Sequence, residues 1–267
     1  MKTSLKQIKK GFTLVELLVV IAIMGALGAV GYGAILAFMN SGDKQAAETN
    51  MSNIGKALTQ FQKDNKAFPS DTTANKLQDK AGAFGELQGD TANCYLRQLF
   101  AKKDMVEEKN FFAKIGEAYS EGDGNIANGA CLEAGENAFA YVMLQPDESA
   151  TPKGKAKPAK NKKQAAVEIT KRPVRESSAP LMFCCIKHDG ATPIPGEELL
   201  LDMDPFNEFA LVLKANGSVE KLEGDKIAVD PNDESVGTFA EGKTPFPKSR
   251  STGESKAADY IILPPAL

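Results

Sequence analysis

The chain has 267 residues, 32 of them Lys or Arg and 35 Asp or Glu, for a formal net charge of −3. That acidic balance argues against DNA as a main partner, and the length suffices for one sizeable core. His188 is the only histidine, so a catalytic triad would have to use it, and nothing near it resembles a nucleophile elbow.

Lys2, Lys6, Lys9 and Lys10 open the chain with no acidic residue among them, and behind Glu16 the run Leu17 to Met39 carries no charge. As a helix this run measures about 35 Å, enough to cross a hydrocarbon core of roughly 30 Å. It is therefore predicted to span a membrane, with the lysines keeping the N-terminus cytoplasmic. A secretory signal peptide fits badly: its apolar region is usually about 7 to 15 residues long and ends at a small-residue cleavage site. Glu16 stands near the entrance of the span, where an unpaired acid is a liability; at the centre it would cost about 2.5 to 3.5 kcal/mol. Gly25, Gly28, Gly31 and Gly33 weaken the helix, each by about 1 kcal/mol relative to Ala. Gly25, Ala29, Gly33 and Ala37 also fall at four-residue spacing, a small-residue face suited to close helix contact.

The segment Gly11-Phe12-Thr13-Leu14-Val15-Glu16-Leu17 resembles the N-terminal signature of type IV prepilins and type II secretion pseudopilins. The resemblance implies that a prepilin peptidase cuts between Gly11 and Phe12, that Phe12 becomes an N-methylated first residue, and that Glu16 serves assembly. Pairing Glu16 with the Phe12 amine would remove two buried charges together. The implied organisation is a leader at 1–11, a transmembrane half of a stem helix at 12–39, an amphipathic half at 40–66, and a globular domain at 67–267. The implied fold class is α+β, with the long helix packed on an antiparallel sheet. No enzymatic activity and no required cofactor follow from it. The implied function is a structural subunit of a type II secretion pseudopilus; a type IV pilin for adhesion, motility or DNA uptake, or a stem-anchored binding module, are the alternatives. Its partners would be the peptidase, copies of itself and other pilin-like subunits, and an inner-membrane assembly platform, with no nucleic acid. It would sit in the bacterial inner membrane as a single-pass protein with a periplasmic C-terminal domain until it enters a filament. Where many members carry a proline in mid-stem, this chain has Gly33.

Beyond the membrane run, Ala47, Met51, Ile54, Leu58 and Phe61 recur at spacings of three and four, an amphipathic helix that should stop near Asp64-Asn65 before Pro69. The stretch Phe61 to Pro69 also resembles the point where major pseudopilins leave the stem. Residues 70–91 read as loop with room for a short helix, Thr91 to Phe100 as a helix, Asp104 to Phe112 as loop or strand, Ser120 to Gly129 as loop, and Phe139 to Leu144 as a strand. Residues 152–175 hold nine Lys and Arg against Glu168, which reads as an exposed, mobile insertion. Pro180 to Ile186 is apolar and β-prone. Phe209 to Leu222 reads as a hairpin, with Asn216-Gly217 supplying the positive φ values of a type I′ turn. Asp230 to Lys256 is expected to be irregular.

Cys94, Cys131, Cys184 and Cys185 are even in number and would lie in an oxidising periplasm, so two disulfides are expected. Adjacent cysteines on a strand point to opposite faces, which favours bonds from Cys184 and Cys185 to Cys94 and Cys131 over a bridge between the two neighbours. Asp202, Asp204, Asn207 and Glu208 form an acidic loop able to supply calcium with several oxygens. Gly237 to Thr244 satisfies the phosphate-loop formula, but Pro245 and Pro247 stand where its helix should begin. His188 with Cys184, Cys185 and Asp189 matches no strong zinc spacing, and His188 is read as a solvent-exposed loop residue.

Overall fold

Helix α1 runs from Leu14 to Asn65 in the computed structural model, which describes residues 14–105, 107–145, 171–206, 209–248 and 254–267, and only the backbone of 25–38. The chain divides into two compact units, Met1–Asp43 and Lys44–Leu267. Among the described residues no helix is long and apolar enough to cross a membrane. Most of the expected span, Leu17 to Met39, falls on residues 25–38, whose side chains lie outside the described set.

In the second unit the apolar stripe of α1 does what its spacing requires: Ala47, Met51, Ile54, Leu58 and Phe61 are all fully buried. The helix ends at Asn65, where Lys66 turns left-handed at φ 62° and its amide still bonds back to Gln62, a helix stop that leaves the chain free to reach Pro69. Three short helices follow, α2 (Asp71–Lys76), α3 (Ala81–Phe84) and α4 (Ala92–Lys102). The last is the helix expected from Thr91 onward, and it buries Leu96, Leu99 and Phe100. Residues Glu108–Phe111 form a turn of 3₁₀ helix rather than a strand.

The strands are β1 (Phe139–Leu144), β2 (Pro180–Cys184), β3 (Ile194–Pro195), β4 (Leu201–Asp202), β5 (Phe209–Lys214), β6 (Val219–Glu223), β7 (Ile227–Asp230), β8 (Asp233–Phe239) and β9 (Tyr260–Leu263). One sheet has the order β3-β9-β1-β2-β5-β6 and a second β4-β8-β7, with every neighbouring pair antiparallel. The fold is α+β, helix first and antiparallel sheet after. The amphipathic part of α1 lies close to β5 and β6. A Cβ on Gly55 would stand 2.8 Å from Leu213 Cδ1, Lys44 Nζ lies 4.9 Å over the Phe209 ring, and Glu48 pairs with Lys221 at 2.8 Å. Asn50 and Asn53 fasten the other side by donating to the Phe112 carbonyl and to Asn110 Oδ1.

Three expectations are corrected here. The β5–β6 hairpin forms, but positive φ falls on Gly217 (86°) and not on Asn216. Lys214 accepts from the Gly217 amide and donates to the Ser218 carbonyl, so the loop has three residues and ends in a left-handed glycine, a geometry whose twist also suits a hairpin. The segment after Asp230 is not irregular throughout: Asp233–Phe239 is the central strand of the second sheet. Its inward positions are held by Gly237, which packs so closely that a Cβ there would meet Met203 Sδ at 2.7 Å. The basic stretch 152–175 lies outside the described residues up to 170, but its far end is anchored. The Lys171 amide donates to Asp71 Oδ2, its ammonium reaches Asp90 at 2.6 Å and the Gly89 carbonyl, and Leu144 bridges to Arg172.

Candidate functional site

Every described side chain of α1 from Leu14 to Met24 is exposed. Leu14 is 80% exposed and Met24 67%, with Val15, Leu17, Leu18, Val19, Val20, Ile21 and Ile23 between them. Consecutive apolar residues at about 100° per step cover all faces of a helix, and a helix apolar all round is at rest only inside a protein assembly or a bilayer. Glu16 lies in the first turn, where the unpaired amides of a helix start favour a carboxylate. Gly11 and Phe12 lie outside the described residues.

The body of the second unit brings together groups that the sequence keeps apart. Carboxylate oxygens of Glu108, Asp123 and Glu136 lie within 4.8 Å of one another, Glu108 and Glu136 buried and Asp123 exposed. Glu108 accepts from the amides of Leu132 and Gly124, and Glu136 from those of Asp123 and Glu133. The trio thus pins the loop 120–136, and burial, only partly offset by the Leu132 amide, raises the Glu108 carboxyl above its ordinary range. No sequence spacing announced it; the only trace was the Asp- and Gly-rich loop from Ser120 to Gly129.

All four cysteines are buried free thiols. The expected bonds from Cys184 and Cys185 to Cys94 and Cys131 are not what the structure holds. Cys185 is left-handed at φ 62°, which breaks the alternation of strand side chains and turns both sulfurs to one side, Sγ to Sγ 3.4 Å. His188, expected in solvent, is half-buried. Its Nδ1 accepts from the Gly190 amide at 3.0 Å, which leaves the proton on Nε2, 2.7 Å from the Tyr119 hydroxyl. Burial lowers its pKa, so it is a neutral structural imidazole.

Comparison with known proteins bears on the first of these features. The prokaryotic N-terminal methylation motif matches residues 6–32. The type II secretion system core protein G of Pectobacterium carotovorum subsp. carotovorum is 30% identical over 92 residues, covering 34% of this chain and 59% of that one. Over its N-terminal part the chain is thus similar to pilin-like proteins. The fimbrial protein EcpC of Eikenella corrodens is 34% identical over 70 residues, 26% of this chain and 46% of its own. The chain thus spans only about half the length of these curated relatives, and no solved structure matches.

The other expected sites are accounted for as follows. Asp202 lies in β4, 3.6 Å from Lys187 Nζ, and accepts from the Asp204 amide; Asn207 and Glu208 lie outside the described residues. The phosphate-loop look-alike begins inside β8, its Lys243 is paired with Asp225 at 3.1 Å, and the described residues directly after Thr244, Pro245 to Lys248, are not helical. Its backbone therefore lacks the strand-to-helix turn that would cradle phosphate.

Proposed function

We propose that the chain is a structural subunit of a type II secretion pseudopilus. It is made as a precursor, held in the bacterial inner membrane by residues 12–39 with its N-terminus cytoplasmic, cut between Gly11 and Phe12, methylated on Phe12, and polymerised through its N-terminal helix. The observation that carries this reading is the Gly-Phe-Thr-Leu-Val-Glu motif leading into an apolar helix exposed on all faces. The helix needs a bilayer before assembly and neighbouring helices after it, and a single segment serves both because each is an apolar surrounding. Residues 44–65 of the helix then belong to the globular unit by packing, and the protein's work is mechanical. Similarity to a fimbrial protein favours a second reading, a type IV pilin displayed at the cell surface.

Two substitutions test the proposal. Gly11→Val is expected to leave a full-length precursor in the membrane; mass spectrometry finding a mature chain that begins at methylated Phe12 would reject the cleavage site. Glu16→Leu is expected to insert and be cleaved, yet to enter fibres poorly, since removing one member of a buried charge pair costs about 3 to 5 kcal/mol. Equal recovery of mutant and wild type in sheared fibres at matched membrane levels would remove the assembly role of Glu16. Deleting the gene for this chain separates the pseudopilus from the pilus, because only in the first case does export of a secreted enzyme stop with the fibre.

A further inference from the structure

Cys184 closes β2, and Cys185 is the first residue past it. Both are buried, at 0% and 1% exposure, with their sulfurs 3.4 Å apart. Three connections hold Cys185 in its left-handed conformation at the junction of the two sheets. The Asp202 amide donates to the Cys185 carbonyl at 2.9 Å, Ile186 bridges to Leu201, and the Lys187 amide donates to the Leu200 carbonyl at 3.0 Å. A non-glycine residue adopts this backbone only where its surroundings enforce it, and here the enforced turn is what brings the two thiols into contact.

We propose that Cys184 and Cys185 form a redox modification site, closing reversibly to a disulfide between adjacent residues by exchange with a disulfide oxidant such as oxidised glutathione or a disulfide-carrying oxidoreductase. One cysteine thiolate attacks the oxidant's disulfide, forming a mixed disulfide and releasing the first thiol of the oxidant. The neighbouring thiolate then attacks the mixed disulfide, releasing the second. Two thiols lose two protons and two electrons, and one disulfide of the oxidant becomes two thiols.

Geometry sets the character of this bond. Consecutive Cα atoms are about 3.8 Å apart across a trans peptide, below the roughly 4.4 to 6.8 Å usual for bridged cysteines. The ring is therefore strained, more easily reduced than an ordinary structural bridge, and of the labile kind. Burial disfavours the thiolate and raises the Cys185 thiol, so exchange proceeds while the end of β2 is open, either before the fold closes or during local opening. Once closed, the ring fixes the turn that joins β2 to β4. This chemistry does not depend on whether the chain assembles into a fibre.

The test uses the full chain in detergent, equilibrated with mixtures of oxidised and reduced glutathione, both folded and during refolding from denaturant. Samples are quenched in acid, unfolded, alkylated and digested. The peptide holding Cys184 and Cys185 should escape alkylation and weigh two hydrogens less, and dithiothreitol should restore both thiols, while Cys94 and Cys131 alkylate throughout. The oxidised-to-reduced ratio should rise tenfold for each tenfold rise in the ratio of oxidised glutathione to the square of reduced glutathione, the dependence of an internal disulfide. Cys185→Ser should abolish the light peptide. Full alkylation of both residues at every ratio, a bond from either to Cys94 or Cys131, or a glutathione retained on each would overturn the proposal.

Discussion

The first and second parts of α1 share one secondary structure, yet their large apolar side chains end in opposite states. From Leu14 to Met24 the large apolar residues are exposed; from Ala47 to Phe61 those at three- and four-residue spacing are fully buried. The difference is periodicity. Where polar residues such as Glu48, Asn50, Asn53 and Lys56 interrupt the run, the helix has one apolar face and the chain's own sheet covers it. Where nothing interrupts it, no single face of the same protein could suffice, and the surface is left for other molecules.

Substitution along α1 offers the largest expected effect. Phe61→Ala opens a cavity in a fully buried site and should destabilise the second unit by about 3 to 5 kcal/mol, whereas Leu18→Ala, at an exposed position, should change folding stability by less than about 0.5 kcal/mol. Thermal unfolding of both variants in mild detergent checks the contrast, and equal losses would erase it. The same Leu18→Ala chain should still lose yield in the fibre fraction if the exposed face is the polymer contact.

A smaller loss is expected at Asn93, which shows that the second unit is held by polar as well as apolar contacts. Its amide donates to the carbonyls of Leu132 and Glu133, and its oxygen accepts from Asn137 and the Ala266 amide. Asn93→Ala strands several buried groups at once; each unmet one costs about 1 to 3 kcal/mol, and part of that loss should be recovered by solvent at the Ala266 end. Denaturant titration should place it below Phe61→Ala and above Gly217→Ala. The last forces a Cβ into a left-handed turn at φ 86° and should cost about 1 kcal/mol.

The smallest effect is a dependence on pH confined to the second unit. Burial first, and then the charge of Asp64, raises the Asp104 carboxyl, whose Oδ2 is buried with no hydrogen-bond partner; burial raises Glu108 as well. A carboxyl raised on folding binds more protons in the folded state, so its contribution is fully present at acid pH and is lost as pH rises through the folded pKa. Asp104→Asn should therefore make the decline in stability from acid to neutral pH shallower than in wild type. An unchanged slope in paired melting series would remove Asp104 as its source.

Much of the architecture was legible because local pattern and tertiary packing agreed. The stripe from Ala47 to Phe61, the stop before Pro69, the helix from Thr91 and the strands at Phe139 and Phe209 each follow from residues a few positions apart. The hairpin shows where this ends: Asn216-Gly217 announced the turn, but the registry of β5 on β6 put the left-handed residue at Gly217 alone. Strand β8 was missed because its polar sequence carries no alternation strong enough to distinguish it from loop, and it is a strand only because β4 and β7 flank it.

The sequence by itself determined the two fates of α1 and the pilin-like motif at its start, since both depend on periodicity and on residue types within one short segment. Only the tertiary structure decided which distant groups meet. Glu108, Asp123 and Glu136 converge across a loop, His188 turns inward to Tyr119, and the sulfurs of Cys184 and Cys185 share one side because three contacts from residues 200–202 hold Cys185 left-handed. Strand alternation, taken alone, set those two sulfurs on opposite faces. A local rule holds only while the backbone keeps its local geometry, and at this junction the contacts between the two sheets overrule it.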